Sequence, residues 1–324
     1  MIPTGLWDGN GADPLRRFAR LERTVERQSD GISADGAART ERRRVLITGC
    51  SSGFGLLTAV EAARSGFKVV ATLRDPARGD ALRQALDAGG LDATIDTLDV
   101  TDPESIRRIV ARYEPIDVLV NNAGILINGS FADLSEREVR DMFETNCFGA
   151  MALTRAVVGP MIQRRRGRII NVASLAGSVG YPYCSVYAAS KAALIAFSQS
   201  IRVELAPFGI EVVSVEPGFH KTKLIGVAGR MAERFDDPNS PWAEYNRSYL
   251  QALDGDVLPW AGSPEKAAGR IVRLMSVRRP KARYLVGADA RLAMLCRWLG
   301  LAPLMERLFI YRIERARRLR SPGL

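Results

Sequence analysis

The sequence predicts an α/β protein built on a single doubly wound parallel sheet with helices on both faces. Two observations point there. Short apolar, β-branched runs alternate with helical stretches in β–α order from residue 44 onward, the order a parallel sheet requires. Those runs are nearly continuous in Val, Ile and Leu, as in strands buried on both faces. The 324 residues therefore divide into an N-terminal extension (1–43), one core domain (44–287) and a helical tail (288–324). The extension is rich in Gly, Asp, Arg and Ser. Asp13-Pro14 starts a short helical pattern there, with Leu15, Phe18, Leu21 and Val25 on one face.

The core opens with Arg44-Val45-Leu46-Ile47, which runs into Thr48-Gly49-Cys50-Ser51-Ser52-Gly53-Phe54-Gly55 and then a helical pattern over 56–63. Strand, glycine turn and helix in this order suit a dinucleotide. Glycines let the backbone approach the pyrophosphate, and the helix N-terminus faces its charge. Gly49, Ser51, Ser52, Gly53, Phe54 and Gly55 are thus candidate cofactor contacts, and the expected fold is Rossmann-like. The second strand, 67–73, ends at Arg74-Asp75. An acidic residue at this strand end holds the ribose hydroxyls of NAD, whereas a basic residue beside it accommodates the phosphate of NADP. Leu73 is not acidic and Arg74 is basic, so NADP(H) is expected, with NAD(H) as the alternative and Ser51 or Ser52 as further phosphate contacts.

Further along come a helix over 75–88, a strand over 93–98 closed by Asp99-Val100, a helix over 103–112, and a strand over 117–120 entering Asn121-Asn122-Ala123-Gly124. A long helical pattern over 135–164 carries Asn146 in its middle, and a strand over 168–173 delivers Ser174. Thirteen residues later comes Tyr187-Ala188-Ala189-Ser190-Lys191, at the head of an apolar, Ala-rich helix. Positions i and i+4 share a helix face, so the phenol and the ammonium reach one small volume. A nearby cation stabilises a phenolate and brings a group of pKa about 10 toward neutral-pH proton exchange. Taken alone, the pair also fits a half-buried Tyr and a solvated Lys. The next strand, 210–215, ends in Glu216-Pro217-Gly218-Phe219-His220-Lys221-Thr222.

In order and spacing, Thr48-Gly49-X-X-X-Gly53-X-Gly55, Asn121-Asn122-Ala123-Gly124, Asn146, Ser174, Tyr187-X-X-X-Lys191 and Pro217-Gly218 resemble the short-chain dehydrogenase/reductase family over about residues 44–222. The resemblance implies a catalytic set. Tyr187 would be the acid/base and Lys191 would lower its pKa and hold the nicotinamide ribose. Ser174 would bond the substrate oxygen, and Asn146 would hold a water in the proton relay. It also implies cofactor contacts at Asp99, Val100, Asn122, Ala123 and Gly124, and at Pro217, Gly218 and Thr222, with His220 lining the same turn. The glycine loop, the Glu216–Thr222 turn and the stretch Pro280–Ala290 are similar to the branch containing retinol and hydroxysteroid dehydrogenases. That likeness implies a lipophilic alcohol or carbonyl substrate and a homo-oligomer. Residues 219–263 would close over the substrate, with Phe235, Trp242, Tyr245, Tyr249 and Trp260 suiting an apolar ligand or forming an ordinary lid core. A reading from another class is a cofactor-binding regulator or scaffold without turnover.

Charge and cysteine narrow the rest. The net charge is +10, and residues 270–324 carry 14 Lys and Arg against 3 Asp and Glu, leaving 32 against 33 in residues 1–269. Basicity is a property of the tail. A basic amphipathic tail either meets an anionic membrane surface or packs its apolar face over the pocket or another subunit with its arginines in water. No nucleic-acid-binding module accompanies the charge. Four scattered cysteines and one histidine offer no zinc signature and suit a reduced, cytoplasmic protein. No apolar run reaches the roughly 20 residues of a membrane span, so the expected location is cytoplasmic or peripheral to a membrane.

Overall fold

The computed structural model describes residues 42–222, 224 and 229–320. The N-terminal extension up to residue 41, with its expected helix, lies outside the described residues. The strands of the main sheet are β1 (Arg44–Ile47), β2 (Lys68–Leu73), β3 (Ala93–Thr97), β4 (Val118–Asn121), β6 (Gly167–Val172), β7 (Ile210–Pro217) and β9 (Arg283–Val286). These seven are all parallel and lie in the order β3-β2-β1-β4-β6-β7-β9. Two short strands, β5 (Ile127–Asn128) and β8 (Arg230–Met231), pair separately.

The helices are α1 (Gly53–Arg64), α2 (Asp80–Ala88), α3 (Pro103–Tyr113), α4 (Glu136–Phe143), α5 (Gly149–Gln163), α6 (Ser185–Leu205), α7 (Ala243–Ala252), α8 (Pro264–Ser276), α9 (Ala288–Trp298) and α10 (Ala302–Arg320). The long pattern expected over 135–164 is one rod in which α4 passes through a π-helical turn, Glu144–Phe148, into α5. The expected helix over 75–88 begins later, because Asp75 accepts from the Ala77 N–H and caps a separate turn, Pro76–Gly79.

The period-two geometry of the strands sorts the apolar runs into two layers. Val45, Ile47, Val118, Val120 and Val213 face α1 and α8, packing with Ala59, Ile271 and Met275. Leu46, Leu119, Ile169 and Val212 face α3 and α5, packing with Ile109, Leu153 and Met161. All of these side chains are buried, which is why the runs lack alternating polar residues.

The sheet reverses its winding between β1 and β4, where Ile47 lies opposite Ala71 on one side and Val120 on the other. Crevices at such reversals, outside the carboxyl ends of the strands, are where ligands bind in this architecture. The loops after β1, β2, β4 and β6 all open there.

The lid, residues 229–263, is tied down by a buried polar cluster. Asp133 accepts from Ser130 Oγ (2.8 Å), Ser240 Oγ (2.5 Å) and Asn246 Nδ2 (2.8 Å). Asn246 in turn accepts from the Ser130 N–H and donates to the Phe235 carbonyl. Glu138, fully buried, accepts from the Glu233 N–H at 2.9 Å. These bonds fasten the lid to the segment that follows β5.

The tail returns over the same region. In α10, the Phe309 ring meets Tyr181 at 5.4 Å and the Arg317 guanidinium lies 5.1 Å over Tyr245. Leu304, Leu308 and Tyr311 point outward and are exposed. Among the described residues no helix is long and apolar enough to cross a membrane.

Truncating Asp133 would leave three buried donors without an acceptor, each costing about 1–3 kcal/mol and partly offset by removal of a buried carboxylate. Asp133→Ala is expected to lower stability by roughly 2–4 kcal/mol and to speed amide exchange over residues 230–252. Denaturant unfolding and hydrogen exchange by mass spectrometry would measure both.

Candidate active site

The cleft begins with the turn after β1. Gly49 has φ +72°, and a Cβ on Gly55 would lie 2.2 Å from the Gly49 carbonyl oxygen, so a side chain at either position would prevent the loop from closing on itself. Thr48 then anchors the loop. Its buried hydroxyl accepts from the backbone N–H groups of Asn122 (3.0 Å) and Ala123 (2.9 Å), while Asn122 Nδ2 donates back to the carbonyls of Thr48 (2.8 Å) and Gly49 (3.2 Å). The ends of β1 and β4 are thereby stitched together beneath a cleft of about 660 Å³.

Ser51, Ser52, Gly53 and Phe54 form one end of this cleft, and Arg74, Asp75 and Arg78 line its outer wall. Asp99, Val100, Ala123 and Gly124 flank the middle. Tyr187 and Lys191 stand at the inner end, and Thr222 lines the cleft beside Gly53.

Four residues assigned to the cofactor from sequence do not line this cleft. Gly55 is buried against the Gly49 carbonyl and acts by its absence of a side chain. Pro217 and Gly218 line an adjoining apolar pocket instead. His220 is 2 % exposed, sits edge-on to Phe54 at 5.3 Å, and places Nδ1 3.0 Å from the Gly218 carbonyl. A carbonyl only accepts, so Nδ1 carries the proton and the ring serves as turn packing. Asp75, Arg78 and Thr145 line the cleft and were missed, since a single polar residue in a short turn or within a helix carries no signal of its own. Thr48 was legible as the first residue of the glycine motif, but not its bonding.

The catalytic candidates converge from three elements. Ser174 follows β6, and its Oγ accepts from the Ala176 N–H at 3.1 Å. Tyr187 stands in the first turn of α6. One turn on, Lys191 lies buried with Nζ donating to the Val172 carbonyl at 2.9 Å, 5.8 Å from the Tyr187 ring centroid. Asn146 sits in the π-helical turn, where the extra residue re-aims its side chain. Its Oδ1 accepts from the Ile125 N–H (2.7 Å), and its Nδ2 donates to the Ile125 carbonyl (2.9 Å) and to Ser190 Oγ (3.0 Å). Ser190 Oγ donates to the Tyr187 carbonyl at 2.7 Å. In the protein alone, Asn146 therefore braces the first turn of α6 against the β4 loop.

A second buried chain lies below. Asn121 Nδ2 donates to Asn171 Oδ1 at 2.8 Å and Asn171 Nδ2 to Ser198 Oγ at 2.8 Å, tying β4, β6 and α6. On the far side, fully buried Glu216 accepts from Ser178 Oγ (2.8 Å) and from Arg283 Nε (2.7 Å) and Nη2 (2.6 Å), which fixes the loop after Ser174 to β7 and β9. These residues were missed as site supports, although polar residues inside apolar strands were a visible anomaly.

The electrostatics differ from the sequence expectation. Burial pushes the Tyr187 phenol up to about 12, with the Ser174 hydroxyl pulling the other way, and pushes the Lys191 ammonium down to about 8. Desolvation disfavours both charged forms and outweighs the stabilisation expected of a nearby cation.

The short chain dehydrogenase family profile matches residues 43–232. An uncharacterized oxidoreductase, YusZ, of Bacillus subtilis is 40 % identical over 268 residues, covering 79 % of this chain and 93 % of that one. Retinol dehydrogenase 8 of Bos taurus is 36 % identical over 253 residues, covering 74 % and 80 %. The crystal structure of a variant of actinorhodin polyketide ketoreductase with NADPH superposes with a TM-score of 0.64 at 29 % identity, covering 77 % of this chain and 97 % of that one. A parallel sheet with its cleft at the β1/β4 reversal, Tyr187 and Lys191 in that cleft and Ser174 on the adjoining pocket, is the setting in which the family match falls. This chain belongs to the short chain dehydrogenase family and resembles its retinol dehydrogenase branch.

The low Lys191 value carries a sign. Between pH 8 and 10.5 the unfolded chain holds a proton that the folded chain does not, so stability attributable to this residue rises with pH across that window. Relative to Lys191→Met, the wild type is expected to gain up to about 2 kcal/mol between about pH 8 and about pH 9.5. Urea unfolding of both proteins at the two pH values checks this, and a constant gap would contradict it.

Proposed function

We propose that the protein is an NADP(H)-dependent oxidoreductase that interconverts a lipophilic alcohol and its carbonyl, with Tyr187 as the acid/base. The observation that carries the reading is the position of Tyr187, which lines both the dinucleotide cleft and the apolar pocket beyond it. Ser174 lines that pocket too, together with Leu126, Leu175, Pro217 and Phe219. A carbonyl held there would lie between a hydroxyl pair on one side and the nicotinamide end of the cleft on the other.

The cleft suits a dinucleotide on its own geometry. The glycine turn offers backbone where a side chain would block it, and Gly53 and Phe54, the first residues of α1, line the cleft, where a helix N-terminus favours negative charge. Ser51, Ser52 and Gly53 would hold the pyrophosphate, Asp99 and Val100 the adenine end, and Lys191 the ribose near the nicotinamide. The cofactor, when bound, supplies or accepts the hydride. The chain's own residues do the rest. Ser174 donates a hydrogen bond to the substrate oxygen and stabilises the charge that develops there. Tyr187 delivers its proton to that oxygen in reduction and removes it in oxidation. Lys191, fixed at Val172, keeps a positive head group beside the phenol and stabilises the phenolate left when the proton is delivered. Closure by the lid and α10 excludes water from the pocket.

Arg74 supports the phosphorylated cofactor. With Arg78 on the same outer wall, the cleft presents two exposed arginines at the ribose end, and Asp75 is engaged in capping its own turn. A forked guanidinium matches a phosphomonoester bidentately.

Tyr187→Phe is expected to reduce kcat for carbonyl reduction by about a hundredfold or more, since general acid–base catalysis contributes on the order of 10²–10⁴. Its NADPH affinity, read by nicotinamide fluorescence, should stay within a few-fold of wild type. Retained turnover would remove Tyr187 from the role. Arg74→Ala is expected to weaken NADPH binding roughly tenfold or more, the scale of one charge-assisted bond, while leaving NADH nearly unchanged. Equal losses for both cofactors in parallel titrations would defeat the phosphate assignment.

A further inference from the structure

The two tail helices bury one face each and leave an apolar face in solvent. Both inner faces meet Tyr181. Ala290, Ala293 and Met294 of α9 pack around Leu175 and Tyr181, and Phe309 of α10 meets the Tyr181 ring at 5.4 Å. The sides turned away carry Leu292, Leu295 and Leu299 along α9 and its end, and Leu304, Leu308 and Tyr311 along α10. Steps of three and four residues place each set in one row, and all six side chains are at least half exposed. Trp298, at the end of α9, is 81 % exposed. Rows of this kind on a folded chain mark a contact surface.

Arginines accompany the rows. Arg315 continues the line of Leu304, Leu308 and Tyr311, Arg307 runs beside it, and Arg291 and Arg297 stand on α9. All four are exposed, and among the described residues none has an ion-pair or hydrogen-bond partner. Residues 288–320 hold eight arginines against three acidic residues. Two of those three acids are already engaged, Asp289 with the Phe219 N–H and Glu314 at 3.6 Å from Arg318.

A second copy of the chain seated on this face by a two-fold axis would set arginine against arginine. A surface that is apolar beneath and negative above satisfies both the rows and their charges. From this we infer that α9 and α10 lie on an anionic lipid bilayer. The leucines, Trp298 and Tyr311 enter the boundary between head groups and acyl chains, and the arginines meet lipid phosphates. The contact is interfacial, since among the described residues no helix is long and apolar enough to cross. Its place in the fold gives it a consequence. Phe309 and Ile313, on the inner side of α10, line a cavity that shares Tyr181, Phe219 and Leu253 with the pocket beside Ser174 and Tyr187. One helix diameter, about 10 Å, separates that cavity from the bilayer. A lipophilic ligand dissolved in the membrane is thereby concentrated beside the pocket. The docking itself does not depend on the oxidoreductase reading.

The test is co-sedimentation of the purified full chain with vesicles of phosphatidylcholine alone and of equal parts phosphatidylcholine and phosphatidylglycerol. Binding is expected to the anionic vesicles, little to the neutral ones, and to weaken as added salt shortens the screening length. Arg307→Gln/Arg315→Gln should lower the partition coefficient by at least about tenfold, the combined worth of two arginines at an anionic surface. Leu304→Ser/Leu308→Ser should lower it by a similar factor. Arg64→Gln/Arg107→Gln removes the same charge from exposed positions on α1 and α3 and should leave binding within about twofold. All substitutions lie at exposed positions, and thermal unfolding reports that each variant is folded. Absence of binding to anionic vesicles at low salt overturns the inference. So does equal loss in the Arg64→Gln/Arg107→Gln control, which would make the attraction a property of net charge, or binding that both tail variants leave unchanged. A dimer in sedimentation velocity that Leu304→Ser/Leu308→Ser dissolves, in a protein that does not bind vesicles, gives the face to a second copy and overturns it as well.

Discussion

An ammonium is among the head groups least tolerant of burial, and the site depends on having buried one. Lys191 reaches the inner end of the cleft from α6 and is held there by the carbonyl of Val172, the last residue of β6. That one contact fixes the helix relative to the strand end. Because Tyr187 stands one turn earlier on α6 and Ser174 two residues after β6, it also sets the distance between the Tyr187 phenol and the Ser174 hydroxyl. Desolvation lowers the lysine toward neutrality and raises the phenol. The pair is thus poised against its own burial, and a polar ligand in the cleft relieves that penalty.

The rest of the fold supplies rigidity around this point. Thr48 and Asn122 lock the glycine turn to β4, Asn121 and Asn171 bind β4, β6 and α6 together, and Asn146 braces α6 through Ser190. Glu216, paired with Arg283 and Ser178, holds the loop after Ser174, and Asp289 accepts from the Phe219 N–H at 2.6 Å to hold the turn after β7. Most of these polar groups are buried and all are hydrogen-bonded, and such groups specify one arrangement where apolar packing would tolerate several. The substrate side is built differently. Its walls are apolar and aromatic, its lid is fastened at the base by Asp133, and its outer limit is the inward face of α10. A rigid polar half thus adjoins an apolar half at Tyr187, which lines both.

Much of this was legible in the sequence because it is periodic or local. Apolar runs in β–α order determined a doubly wound parallel sheet, since only strands covered on both faces can sustain such continuity. Glycines at 49, 53 and 55 marked a backbone that must approach a ligand. The four-residue step from Tyr187 to Lys191 placed phenol and ammonium on one helix face. What only the tertiary structure decided is non-local. Gly55 acts through contact with Gly49, and Pro217 and Gly218 face the apolar pocket because β7 ends beyond the cleft. His220 turns toward Phe54, and burial reverses the expected direction of the Tyr187 shift. The roles of Glu216 and Asp133 depend on partners as far as 113 residues away. Sequence spacing determines which side chains share a helix face or a turn. Desolvation and hydrogen-bond satisfaction depend on everything that surrounds a group, and that is settled only when the chain has closed around it.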